Sequence, residues 1–393
     1  MTDASILSGN WNYPTSIRFG VGRIAELPKC CENLGMSRPL LVTDPGLADL
    51  DMVVEAVTAN KEAGLPTRIF SDIKPNPVGK NISDGLRAFH EGGHDGVIAF
   101  GGGSAMDAGK TIAFMAGQKR GLWDFEDIGD NWKRAETDAI APVVAVPTTS
   151  GTGSEVGRAT VVIDEDNETK KILFHPRMLP ELVICDPVLV TGLPPHLTAA
   201  TGMDALAHCL EALCVDAYHP MADGIALEGL RLVHDWLPKA VKDGQDLEAR
   251  AHMMAAATMG ATAFQKGLGA IHSLSHPVSA VFDTHHGLTN AVFTPYVLEF
   301  NRAAIEDKMT LLGRFIGLKK PSFQAVLDWT LKLRREFDIV HTAAELGVDL
   351  DRLDDISEMA AKDPTAPTNP VPAGTKEMRG ILDTAMEGRL DCP

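Results

Sequence analysis

The chain changes its apolar pattern near residue 190, and that change constrains its fold more than any other feature. Before it, short apolar runs recur at residues 39–44, 67–70, 96–100, 143–146 and 182–185. Runs of this length, bounded by turn residues, read as buried strands. The amphipathic stretches between them, such as 78–92 and 104–115, read as helices. Strand–helix alternation predicts a parallel sheet with helices on both faces. After Leu193-Pro194-Pro195, Ala, Leu, Met and His dominate and helical periodicity takes over. Residues 199–217, 221–237 and 248–265 read as helices, with Pro238 as the stop of the second. Residues 350–393 read as helices joined by loops. A chain of 393 residues is long for one core. The expected architecture is an α/β N-terminal domain over 1–190 with a parallel sheet, and an all-α C-terminal domain over 191–393.

Charge narrows the partners. The formal net charge is -17, from 53 acidic and 36 basic residues. A polyanion needs a basic face, so no nucleic-acid partner is expected. No apolar run approaches the roughly 20 residues of a membrane span, and residues 1–5 lack the basic-then-apolar order of a signal peptide. The six cysteines, Cys30, Cys31, Cys185, Cys209, Cys214 and Cys392, include no Cys-x-x-Cys pair. A reducing, cytoplasmic setting is the expectation.

Gly101-Gly102-Gly103-Ser104 directly follows an apolar strand and precedes a helix. Glycines there let a backbone approach a phosphate, and a helix N-terminus offers free N–H groups and the positive end of a dipole. Met106 stands where the third glycine of the Gly-x-Gly-x-x-Gly fingerprint would fall, and the turn is not a Walker loop although Lys110 follows. A tight turn needing glycine for steric reasons alone is the competing explanation. Asp44 ends the Leu40–Thr43 strand, where a carboxylate can accept hydrogen bonds from a ribose and repel a 2'-phosphate, favouring NAD over NADP. A plain helix cap before Pro45 is the simpler alternative. The loop Pro147-Thr148-Thr149-Ser150-Gly151-Thr152-Gly153-Ser154-Glu155 offers hydroxyls and backbone N–H groups to a phosphate or a nicotinamide, or is only a turn.

Asp204 and His208 are four apart, as are His272 and His276, and His286-Gly287 follows a turn at Asp283-Thr284. Residues four apart share a helix face. One carboxylate and three imidazoles suit Fe(II) or Zn(II), with room for a substrate oxygen. A lone helical histidine is more often structural; two such pairs and a His-Gly turn in one helical domain favour the metal. Adjacent His285 and His286 cannot point the same way. His94, His219, His234 and His252 take the structural reading.

These motifs together resemble the iron-containing (group III) alcohol dehydrogenase family. The resemblance rests on Gly101–Asp107, on Pro147–Glu155, on Leu193-Pro194-Pro195 through His208, and on Gly269–Pro277 ending in His286-Gly287; beyond Gly317 it is loose. It implies the dehydroquinate synthase-like architecture: a Rossmann-like N-terminal domain, a helical C-terminal domain and an active site in the cleft between. It implies Asp204, His208, His272 and His286 as metal ligands, with His276 lining the pocket and available to relay a proton. It places Asp44, Asn76, Gly102, Gly103, Ser104, Asp107, Thr148 and Thr149 at NAD(P), with Lys170 preferred over Lys171 as a lysine near the cofactor. The reaction implied is reversible oxidation of a small alcohol to an aldehyde or ketone by hydride transfer to the nicotinamide, in a homo-oligomer such as a dimer. A non-redox, NAD- and metal-dependent lyase of the dehydroquinate synthase type and a metal-dependent hydrolase are the alternatives. Arg158 either greets an acidic substrate or, the preferred reading, forms a salt bridge on a strand edge.

Overall fold

Seven strands form one sheet, in the order β1 (Gly9–Trp11), β2 (Ser16–Phe19), β9 (Leu182–Cys185), β6 (Val143–Pro147), β5 (Gly96–Gly101), β3 (Pro39–Val42) and β4 (Arg68–Phe70). In chain order the first unit runs β1 (Gly9–Trp11), β2 (Ser16–Phe19), α1 (Leu27–Asn33), β3 (Pro39–Val42), α2 (Asp51–Glu62), β4 (Arg68–Phe70), α3 (Gly79–Glu91), β5 (Gly96–Gly101), α4 (Gly103–Met115), β6 (Val143–Pro147), β7 (Ala159–Asp164), β8 (Thr169–Phe174) and β9 (Leu182–Cys185). The structure is a computed structural model that describes residues 9–11, 15–167 and 169–390. Residues 1–5, read above for a signal peptide, and Cys392 lie outside them.

All neighbours in the sheet are parallel except β1, which runs antiparallel to β2. β3, β5, β6 and β9 are buried at every position, as strands covered on both faces must be. The chain leaves β3 for β4 on one side and returns to β5 on the other. That reversal makes the carboxyl ends of β3 and β5 a topological switch point, where open α/β sheets form a crevice.

The hairpin β7–β8 stands apart as a two-stranded sheet and was not expected from sequence. Buried Lys110 fastens it: the ammonium donates to the carbonyls of Ser154 at 2.9 Å and Ala159 at 2.7 Å and lies 3.5 Å from Asp107. Burial pushes its pKa down, with Asp107 opposing. The guanidinium of Arg158 lies 5.8 Å over the Phe174 ring, and among the described residues no ion pair to Arg158 is found. The expected strand-edge salt bridge is replaced by a cation–π contact with Phe174, which pairs with the next residue, Ala159, across the hairpin.

The compact units are the described residues up to Thr149 with Gly153–Gly192, and Ser150–Thr152 with the chain from Leu193 onward. The second unit is helical: α5 (Pro195–Cys214), α6 (Pro220–Lys242), α7 (Leu247–Ala263), α8 (Ala270–Phe282), α9 (His286–Phe315), α10 (Phe323–Glu336), α11 (Leu353–Lys362) and α12 (Thr375–Glu387). Pro238 does not stop α6, which continues to Lys242. Only one backbone bond is forfeited there, and the buried side chains of Leu237 and Ala240 hold the last turn in place. No helix among the described residues is long and apolar enough to cross a membrane.

α5 is buried along nearly its whole length, so its hydroxyls need internal partners. Thr201 donates to the Leu197 carbonyl one turn back. Thr262 on α7 and Ser273 and Ser279 on α8 do the same. This back-bonding lets polar residues sit in a dry helix without an orphaned donor. Arg250 is buried and donates to the Leu193 carbonyl and to Thr198 Oγ1, tying α7 to the start of the unit. α8, α9, α11 and α12 share one apolar core that includes Ile271, Leu274, Phe293, Ile356 and Leu382.

Candidate functional site

Two helices and the start of a third bring four of the sequence-derived residues together in the second unit. Asp204 and His208 lie one turn apart on α5, His272 near the start of α8, and His286 as the first residue of α9. Asp283 makes the return between α8 and α9 in the left-handed region, with φ 51, a conformation Asp tolerates better than most residues. One ligand-type atom from each of Asp204, His208, His272 and His286 falls within 4.8 Å of the others. His208 Nε2 and His286 Nε2 each lie 3.8 Å from Asp204 Oδ1. Donors held by one cation at about 2.1 Å stand about 3–4 Å apart, so this cluster is the right size for a single ion.

Two of the imidazoles are shifted in opposite directions. Burial pushes the His208 pKa down to about 4, with Asp204 opposing; a neutral ring has a lone pair to offer. Burial also works against a charged His272, but the Glu211 carboxylate overcomes it and raises the pKa above the ordinary histidine value. Asp204, His208 and His272 are buried, and His286 is the partly exposed member. The Phe264 ring stands 5.1 Å from the His208 ring and adds an apolar wall.

His276, one turn after His272, has its ring stacked on His286 at 5.5 Å. Its Nδ1 lies 2.8 Å from Asp363 Oδ2, while Asp363 Oδ1 accepts from the Thr365 hydroxyl and backbone N–H. Burial raises the Asp363 pKa, but His276 and the Thr365 bonds outweigh it and hold the carboxyl below its usual range. His285, the residue before α9, is exposed.

Three residues of this site were missed in the sequence: Glu211, Asn290 and Asp363. Glu211 follows His208 by three and Asn290 follows His286 by four, so each shares a helix face with a candidate ligand. That spacing was the available signal. Asp363 sits in a loop and left none.

In the first unit Asp44, Gly102, Gly103, Ser104, Thr148 and Thr149 gather at the switch point. Gly101 ends β5 with φ 152, which favours glycine, and a Cβ there would stand 2.7 Å from that of Ala105 and 3.5 Å from Asp44 Oδ2. Gly102 precedes α4 and faces Thr149, whose Cγ2 would be 3.2 Å from an added Cβ. Gly103 and Ser104 open α4, and Ser104 Oγ donates to the Pro75 carbonyl. That bond holds the segment with Asn76 beside the turn. Thr148 is buried and its N–H donates to the Gly101 carbonyl at 3.0 Å. Asp44 Oδ1 accepts from Gly46 N at 3.0 Å. Asp107, partly exposed, also accepts bonds within the protein: its carboxylate accepts from Ser154 Oγ and, at 2.9 Å, from Val161 N. Lys170 lies on β8 opposite Ile163; Lys171, its neighbour, is paired with Asp164 and Glu126.

The comparisons with known proteins cover both units. Residues 14–187 match the model of the iron-containing alcohol dehydrogenases, and residues 198–386 match that of the Fe-containing alcohol dehydrogenase C-terminal domain. The match therefore continues well past Gly317, where the sequence resemblance had looked loose. A 4-hydroxybutyrate dehydrogenase of Cupriavidus necator is 40% identical over 386 residues, covering 95% of this chain and 99% of the relative. An NAD-dependent methanol dehydrogenase of Bacillus methanolicus is 31% identical, covering 96% and 100%. The crystal structure of a 1,3-propanediol oxidoreductase superposes with a TM-score of 0.89 at 33% identity, covering 94% of this chain and 97% of that one. These relatives decide for a dehydrogenase over the non-redox lyase and the hydrolase. By sequence and by fold the chain belongs to the iron-containing alcohol dehydrogenase family, an oxidoreductase family.

Proposed function

We propose that the protein is an NAD-linked, metal-dependent dehydrogenase of small alcohols, with Asp204, His208, His272 and His286 holding Fe(II) or Zn(II). The observation that carries this reading is the convergence of their four ligand-type atoms within 4.8 Å. A divalent cation bound there supplies Lewis acidity, bringing the pKa of an alcohol hydroxyl toward neutrality. NAD supplies the hydride acceptor.

The protein's own groups do the rest. Neutral His208 offers its lone pair without first losing a proton at ordinary pH. Phe264 keeps water from one side of the His208 ring. His276, held through Nδ1 by Asp363, takes up and passes on the hydroxyl proton. Gly101, Gly102, Gly103 and Ser104 leave the α4 N-terminus open to a pyrophosphate, and Thr148 and Thr149 line that turn. Asp44 accepts the adenosine ribose hydroxyls, and Asn76 and Lys170 contact the cofactor. Asp107 supports the site by fastening Ser154 and Val161. The same reading makes the protein a cytoplasmic homo-oligomer, a dimer or larger.

The substrate to try first is 4-hydroxybutyrate, the alcohol in the name of the 40% identical relative; 1,3-propanediol and methanol follow. Protein purified without oxygen is chelated, refilled with Fe(II) or Zn(II), and assayed by NADH absorbance with NAD and each alcohol. Metal-restored NADH formation is the expected result. Replacing His272 with Ala removes metal and turnover together; retention of both disproves the ligand set.

A further inference from the structure

We infer that Glu211 is a positioning residue: one carboxylate oxygen fixes which nitrogen of His272 faces the metal site, and the other fastens the start of the helix that carries it. The inference rests on the metal reading above. Glu211 lies on α5 seven residues after Asp204 and three after His208, so all three project from one face. It is 5% exposed, deep enough that both oxygens must find donors inside the protein.

They do. Oε1 accepts from the Ile271 N–H at 2.7 Å. Oε2 lies 2.5 Å from His272 Nδ1. An ionised carboxylate only accepts, so His272 keeps its proton on Nδ1 at this contact. Nε2 is then the nitrogen with a lone pair, and it stands 3.3 Å from Asn290 Nδ2, the amide nitrogen that donates to Asp204. The Ile271 N–H belongs to the first turn of α8, whose N–H groups have no partner within the helix. Its neighbour, Ala270 N–H, is taken by Asn369 Oδ1 at 3.0 Å.

Space has been cleared for this arrangement. A Cβ on Gly269 would stand 3.1 Å from Glu211 Oε1 and 2.7 Å from Asn369 Oδ1. A side chain at 269 would crowd both acceptors, and glycine leaves them free to meet the start of α8. Had Glu211 served the helix end alone, Oε1 would suffice and Oε2 would have no reason to meet His272.

Gln in place of Glu211 keeps the length but retains one acceptor. If its oxygen serves Ile271, its NH2 group faces His272 Nδ1 and can only donate, so the ring must carry its proton on Nε2, the nitrogen a metal needs. The test strips metal from the full-length protein and measures Zn(II) affinity by competition with a chromophoric chelator. Unfolding of the metal-free protein is followed alongside, as is the visible spectrum of the Co(II)-loaded protein. E211Q is expected to bind Zn(II) about 10–100-fold more weakly, with an altered Co(II) spectrum and a folded metal-free state. Glu211→Asp keeps the charge but cannot reach both donors, and carries the test if E211Q does not fold; it too is expected to bind at least 10-fold more weakly. Wild-type Zn(II) affinity in a folded E211Q, or in E211D if that is the variant that folds, overturns the inference. H272A separates the two readings: if it binds Zn(II) as the wild type does, the metal assignment itself fails, whereas if it loses Zn(II) while E211Q keeps it, only the role of Glu211 fails.

Discussion

The side-chain amide of Asn290 donates to Asp204 Oδ1 at 2.8 Å and stands 3.2 Å from His286 Nε2. Asp204 is 2% exposed, so without a cation this donor is a large part of what keeps its oxygen compensated. Leaving a buried acceptor unmatched costs about 1–3 kcal/mol. Asn290→Ala is therefore expected to destabilise the metal-free protein by about that amount, and the metal-loaded protein by less, because a cation would then compensate Asp204. Urea titrations with and without Zn(II) read the difference. An equal penalty in both states means that Asn290 does not stand in for the cation's charge.

Gly287 sets how closely α9 approaches α5. A Cβ there would fall 2.3 Å from the Ala200 carbonyl oxygen and 3.0 Å from the Asp204 Cβ. The first of these is backbone and cannot swing aside. Gly287→Ala must push the start of α9, and His286 with it, away from Asp204. Overpacking of this kind costs about 1–3 kcal/mol, and the expected signature is a loss of Zn(II) affinity of about 10-fold or more beside a lowered unfolding midpoint. An unchanged affinity would mean that His286 is not held by this packing.

What the sequence disclosed and what it concealed follow one physical line. The strands around 96–100 and 143–146 were legible because burial on both faces demands unbroken apolar runs. Asp204, His208, His272 and His286 were legible because helical spacing and the His-Gly turn mark them. The hairpin β7–β8 was not: its burial alternates along β7, but Ala-Thr-Val-Val-Ile-Asp shows the alternation only faintly, since Thr160 points inward and meets the Thr111 hydroxyl. Pro238 misled, because a proline in the last turns of a helix forfeits little. Glu211 and Asn290 look like ordinary helical polar residues until α8 and α9 close over them, and Asp363 reaches His276 across 87 positions. Partnerships of that length are made by tertiary packing and leave no local pattern.

His175 gives the first unit a pH dependence. The ring is buried against Phe114 and Trp132, and its Nδ1 accepts from Arg177 N at 3.0 Å. Burial, and then the Arg177 charge, depress its pKa below the ordinary value. An imidazole that is harder to protonate when folded makes the unfolded chain bind more protons as pH falls below about 6.5. Its contribution to stability is complete above that pH and is lost progressively below it, toward the depressed folded pKa. His175→Asn keeps an acceptor for Arg177 N without the titration. Denaturation midpoints at pH 7.5 and pH 5.5 are expected to differ less in the variant than in the wild type; equal differences would exclude His175 as a source of acid sensitivity.

Asp44 provides the sharpest test of the nucleotide reading, because charge alone decides it. The carboxylate lies two residues beyond the end of β3 at the switch point, and its Oδ2 lies beside Gly101, 3.5 Å from where a Cβ would be. A ribose placed there with its pyrophosphate at the α4 N-terminus offers its hydroxyls to the carboxylate. A 2'-phosphate would bring roughly two negative charges against it. Asp44→Ser removes the repulsion, keeps an acceptor for Gly46 N, and gives up the charged partner of the ribose. NAD affinity is expected to fall and NADP affinity to rise, moving their ratio by about 10–100-fold, the size of 1.4–2.8 kcal/mol of differential charge interaction. Titration calorimetry with both cofactors measures it in metal-free protein, so the outcome does not depend on turnover. A ratio that stays fixed would place the ribose elsewhere, and with it the whole assignment of the Gly101–Ser104 turn as a pyrophosphate cradle.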